Sequence, residues 1–121
     1  MANKERGGIR LEAGAEVYTL RFTTNAMCEL EDLFGEPFSK IVDLLATPES
    51  ISFSDLRKML WGALCEARPE WSEPNRETLR AIGDIADEAG LLVAIDKLAK
   101  AVEATFPDAD AEKATASRKA A

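Results

Sequence analysis

"YTLRFTTNAMCELEDLFG", residues 18–35, changes its period halfway along. Tyr18, Leu20 and Phe22 alternate with Thr19 and Arg21, the period of two that turns one face of a strand toward a core. From Ala26 onward the apolar residues Met27, Leu30 and Phe34 recur at helical spacing. The change falls at Thr23 and Thr24, whose hydroxyls can accept from the free N–H groups of a first helical turn. Gly35 offers the left-handed conformation that closes a helix. A strand therefore passes directly into a helix, and no residue of catalytic type stands at the join.

Toward the N-terminus, Ile9 and Leu11 alternate with Arg10 and Glu12 and predict a second strand. Pairing Leu11 with Tyr18 and Ile9 with Leu20 puts the apolar side chains of both strands on one face. That register implies a four-residue loop in "EAGAE", with Gly14 available for a positive φ. A lone hairpin is marginal in water, so its apolar face needs a cover, and only helices are available for it.

Toward the C-terminus, Pro37 suits a first helical turn, and "PFSKIVDLLA" carries Phe38, Ile41, Val42 and Leu45 on one face. The third helix is the strongest. Ser52 with Asp55 is a capping-box variant, and Phe53, Leu56, Met59, Leu60, Ala63, Leu64 and Ala67 form its stripe. Pro69 and Pro74 bracket a loop around Trp71. A fourth helix over 75–89, carrying Leu79, Ile82, Ile85, Ala86 and Ala89, ends at Gly90. A fifth, 91–105, carries Leu92, Ile95, Leu98, Ala99 and Val102. Past Pro107, "DADAEKATASRKAA" has only alanine as apolar content and predicts a disordered tail over 108–121. The expected architecture is α+β, mostly α: an N-terminal hairpin and five short helices in one domain, 1–107, ordered from about residue 8.

Composition narrows the chemistry. Of 121 residues, 22 are acidic and 15 basic, a formal charge of -7, which would mostly repel a phosphate backbone; no nucleic-acid partner is expected. Histidine is absent, removing the commonest general base and metal ligand, and no enzyme, cofactor or metal is expected. No apolar run approaches the roughly 20 residues of a membrane span, so the expected location is the cytoplasm. Cys28 and Cys65 lie far apart within helical runs and read as buried free thiols.

"DADAE", 108–112, has alternating carboxylates but neither the glycine nor the glutamate of a calcium loop. Asp84, Asp87 and Glu88 read as a solvated helix face. Gly7 and Gly8 precede a strand, not a helix, so they form no phosphate cradle. "SFSDL" is a helix start rather than a carrier-protein attachment site. Trp61 lies about one position off the third helix's stripe and Trp71 sits in a proline-flanked loop, which leaves one or both partly exposed as partner contacts. The alternative is that both close the edge of the core. Leu44, at the edge of the second helix, joins them as a candidate contact.

These blocks resemble a family. "YTLRFTTNAMCELEDLFG" with a proline-started helix, "DLRKMLWGALCEARPEW" and "IADEAGLLVAIDKLAKAVEATFP" are similar to the small tail proteins of gene transfer agents. That family belongs with the tail assembly chaperones of long-tailed phages and is sometimes labelled a tail tube protein. The resemblance spans about residues 8–107, and its most specific parts are "LRFTTNAMCELE" and "DEAG". It departs at "SEPNRETLRAIGDIADEAG", where the family pattern has a shorter approach to the fourth helix. The resemblance implies a small α+β domain that binds an apolar, helical tape measure protein, and the tail tube protein as a further partner; it leaves room for a homo-oligomer. The runner-up is a structural tube subunit, which should be dominated by strands. An antitoxin-type regulatory module is the third reading.

Overall fold

In the computed structural model, residues 8–106 are described. Strands β1 (Ile9–Ala13) and β2 (Glu16–Leu20) form an antiparallel hairpin, followed by helices α1 (Thr24–Phe34), α2 (Phe38–Ala46), α3 (Phe53–Leu64), α4 (Arg76–Ala89) and α5 (Leu91–Thr105). Short 3-10 turns at Pro48–Ser50 and Pro69–Trp71 flank α3. This is the α+β, mostly α arrangement that the two periods predict. The tail 108–121, with "DADAE", lies outside the described residues, as does Gly7.

The hairpin register pairs Ile9 with Leu20 and Leu11 with Tyr18 as the alternation requires. Its loop is shorter than expected. The ladder runs on to Ala13 opposite Glu16, leaving Gly14 and Ala15 as the turn. Gly14 has φ +62° and Ala15 no positive φ, the type II′ pattern whose twist matches the flanking strands. Leu11, Ala13 and Leu20 are buried, and α3, α4 and α5 pack on the hairpin and supply the cover it needs.

At the strand-to-helix join, Thr23 Oγ1 accepts from Ala26 N–H at 3.0 Å and caps α1. Gly35, at φ +73°, donates to Glu31 O and ends it. Pro37 sits at the N-cap of α2, one residue earlier than expected, and contributes no side-chain cap. Glu31 supplies that cap from the preceding helix, its Oε2 accepting from Phe38 N–H at 2.8 Å. The turn between α1 and α2 is therefore held from both sides.

The central element is α3, which contacts α1, α4, α5 and β2. Every residue from Met59 to Cys65 is buried, so the stripe broadens into a helix covered all round. Arg21 N–H donates to Ala63 O at 2.9 Å and ties the end of β2 to it. Gly62 lets α1 approach: a Cβ there would sit 2.5 Å from Leu30 Cγ. Two expected stripe members lie outside the core. Phe53 is 75% exposed, in the first turn of α3 and ahead of Leu56, where the buried stripe begins. Ala67 is exposed because α3 ends at Leu64, where Ala67 N–H closes a turn onto Leu64 O. In α5, Leu92 is 78% exposed, and Ala94, Leu98 and Ala101 are the buried positions instead.

Candidate functional site

The tryptophans are structural. Trp61 has no exposed surface, and its Nε1–H donates to Trp71 O at 2.8 Å, which satisfies the one polar atom of a buried indole. Trp71 is 6% exposed, packed 5.9 Å from the Tyr18 ring and roofed by the Arg68 guanidinium 4.9 Å from its centroid. Thr78 Oγ1 donates to Glu70 O and Asn75 Oδ1 accepts from Thr78 N–H, fixing the same loop to the start of α4. The expectation of partial exposure is thus corrected at both positions: hydrogen bonding and cation–π packing draw the proline-flanked loop onto the core. Leu44 is half-buried against the core.

Apart from Val17 on the outer face of the hairpin, the apolar surface left over lies elsewhere, in two places. One is a trough of about 590 Å³ between α1, α2 and the end of α5. Met27, Phe38, Val42, Val102 and Phe106 make its floor and walls. Phe38 anchors it, stacked edge-on to Phe22 at 5.4 Å and lying 6.2 Å from Phe106. The trough follows from stripes wider than the core uses. Ala26 and Leu30, Ile41 and Leu45, and Leu98 and Ala101 are buried, while the flanking Met27, Val42 and Val102 remain half-buried. Its charged lining is entirely acidic: Glu31, Asp43 and Glu103.

The second surface joins the starts of α3 and α5 along α4. Phe53, Leu91, Leu92 and Val93 are exposed large apolar residues, and Phe53 and Leu91 line a depression of about 600 Å³. Its polar lining is mixed, Arg57 and Arg80 against Asp84 and Asp87. Among the described residues Arg57 Nε is the one buried side-chain nitrogen or oxygen without a hydrogen-bond partner. Asp84, Asp87 and Glu88 are all exposed, the solvated face expected of them.

The thiols separate. Cys28 is exposed on the wall of the trough, against the expectation of burial, because it falls on the outer side of α1. Cys65 is buried, and burial first, then the charges of Glu66 and Glu29, push its pKa up to about 11. A thiol so held is protonated and inert at neutral pH. Among the described residues no group of three His, Cys, Asp or Glu side chains could hold a metal ion, and no helix is long and apolar enough to cross a membrane. No family model, curated protein or solved structure matches the chain.

Proposed function

We propose that this protein is a non-enzymatic tail assembly chaperone that binds the tape measure protein of a phage or gene transfer agent and keeps it soluble until the tube forms around it. The observation that carries the reading is the trough between α1, α2 and α5: an apolar surface left uncovered where three helices meet. Troughs of this kind receive the apolar stripe of an amphipathic helix, and a tape measure protein is long and helical. The resemblance over residues 8–107 supplies the identity of the partner, and it rests on the quoted blocks alone. A formal charge of -7 suits the task by keeping a loaded complex soluble and away from DNA.

The tube-subunit reading finds less support, since the strands among the described residues are the two of one hairpin. Co-expression with fragments of a long helical protein encoded nearby tests the proposal. The chaperone should bring at least one fragment into the soluble fraction as a complex. A protein that leaves every fragment insoluble, yet assembles into tubes by itself, would reverse the assignment.

A further inference from the structure

The charge around the trough specifies its occupant more narrowly than apolar character does. Glu31, Asp43 and Glu103 ring a floor of Met27, Phe38, Val42, Val102 and Phe106, and no lysine or arginine lines it. The side-chain ion pair among the described residues, Lys100 with Asp96 at 3.3 Å, involves none of the three carboxylates. Glu31 directs Oε2 to Phe38 N–H, and Asp43 and Glu103 are exposed on opposite walls, one on α2 and one on α5. An apolar helix entering this trough therefore passes between two walls whose carboxylates line it without an ion-pair partner within 4 Å among the described residues. A helix bearing carboxylates beside its stripe would be repelled, and one bearing ammonium or guanidinium groups there would be drawn in and held in register. The second apolar surface has no such bias, because two arginines and two aspartates line it together.

We infer that the trough between α1, α2 and α5 is a docking site for an amphipathic helix whose apolar stripe is flanked by lysine or arginine. This rests on the chaperone reading for its setting, but it concerns the chemistry of one surface and stands or falls separately. Charged flanks decide which helices enter and how fast, while Met27 and the Phe38–Phe106 pair provide an adaptable apolar floor.

Cys28 makes the site measurable, since it is the exposed thiol on the trough wall while Cys65 is buried. The probes are two synthetic helices of about 18 residues, or five turns. Both carry leucine at i, i+3, i+4 and i+7, and they differ in having lysine or glutamate at every flanking position. The lysine peptide should bind, slow the modification of Cys28 by a maleimide, and lose affinity as salt rises. The glutamate peptide should bind at least about tenfold more weakly. Asp43→Lys combined with Glu103→Lys, both exposed sites, should invert that preference, with the thermal melt unchanged. Glu31 is left intact because it caps α2.

Equal binding of the two peptides would overturn the inference. So would lysine-peptide binding that leaves Cys28 fully reactive, which would place the peptide on the Phe53 and Leu92 surface. Failure of both peptides would refute it as well, and solubilisation of tape measure fragments would in that case leave the chaperone reading standing.

Discussion

Gly62, in the last turn of α3, and Gly83, in the middle of α4, are both helical glycines, and the structure assigns them opposite responses to alanine. Replacing a mid-helix glycine with alanine gains roughly 0.8 to 1 kcal/mol of helix propensity wherever the methyl group has room, and one in the last turn gains no more than that. At Gly83 in α4 the nearest atom to the new Cβ would be Arg57 Cδ at 3.4 Å, part of a flexible side chain. Most of the gain should survive. At Gly62 the new Cβ would meet three carbons of Leu30, among them Cγ at 2.5 Å and Cδ2 at 2.8 Å. Leu30 is fully buried, so it can yield only by disturbing α1 or its neighbours. Overpacking of this kind costs about 1 to 3 kcal/mol, and because the whole branched end of Leu30 must shift, the upper half of that range applies. After the propensity gain, Gly62→Ala should be destabilised by about 1 to 2 kcal/mol, and Gly83→Ala stabilised by about 0.5 to 1.

Urea midpoints at constant slope measure both. A third variant ties the effect to its cause. Leu30→Ala alone should cost about 2 to 5 kcal/mol, and adding Gly62→Ala to it should cost nothing further or recover part of the loss, a coupling of about 1 to 3 kcal/mol. A raised midpoint for Gly62→Ala, or strict additivity with Leu30→Ala, would refute the close contact of α1 with α3.

Four further outcomes follow from the same packing. Trp61→Ala should lose at least about 3 to 5 kcal/mol, enough to unfold a domain of ordinary stability, while Trp61→Phe, which keeps most of the volume and abandons the bond to Trp71 O, should lose roughly half as much; equal melts for wild type and Trp61→Ala would return the indole to the surface. Leu60→Ala should cost about 2 to 5 kcal/mol, and an unchanged denaturant midpoint would mean that α3 is not central. For the thiols, Ellman's reagent at pH 7.5 should take up Cys28 quickly and Cys65 only on unfolding. The Cys65 thiol titrates near 9.0 unfolded and about 11 folded, so the folded state holds more protons between those values and stability should fall as pH rises across them. Cys65→Ala should remove part of that slope, and an identical slope would show that the thiol does not carry it.

The hairpin register and the helix order were legible because each rests on local signals. Alternation fixed Ile9 opposite Leu20, Thr23 and Ser52 supply hydroxyl caps, and Gly35 and Gly90 stop α1 and α4. The turn length was not legible, since Ala13 continues the alternation of Ile9 and Leu11 but Glu16, opposite it, does not, and the apolar pattern therefore does not say where the ladder stops. Trp71 misled for a different reason. Its cover comes from Tyr18, Arg68 and the indole of Trp61, and nothing local to a proline-flanked loop announces partners on a distant strand. Phe53 and Leu92 occupy stripe positions by spacing, but spacing does not say which turns of a helix another element covers. The trough is the least legible feature. Met27, Val42 and Val102 each look like ordinary core residues, and only the meeting of α1, α2 and α5 leaves their outer surfaces without a cover.

The central claim is that a helical partner lies in that trough, and a photo-crosslinker on Cys28 tests it most directly. A benzophenone maleimide attached there reaches the trough wall without altering the floor, and Cys65 is too buried to compete for it. When the labelled protein is present as a tape measure fragment is diluted out of denaturant and the mixture is illuminated, mass spectrometry should find the crosslinker joined to a helical segment of that fragment, and Val42→Asp should abolish the adduct while the domain still melts cooperatively. No adduct from Cys28, together with an efficient one from Phe53→Cys in a Cys28→Ser background, would contradict the account and move the binding site to the far surface.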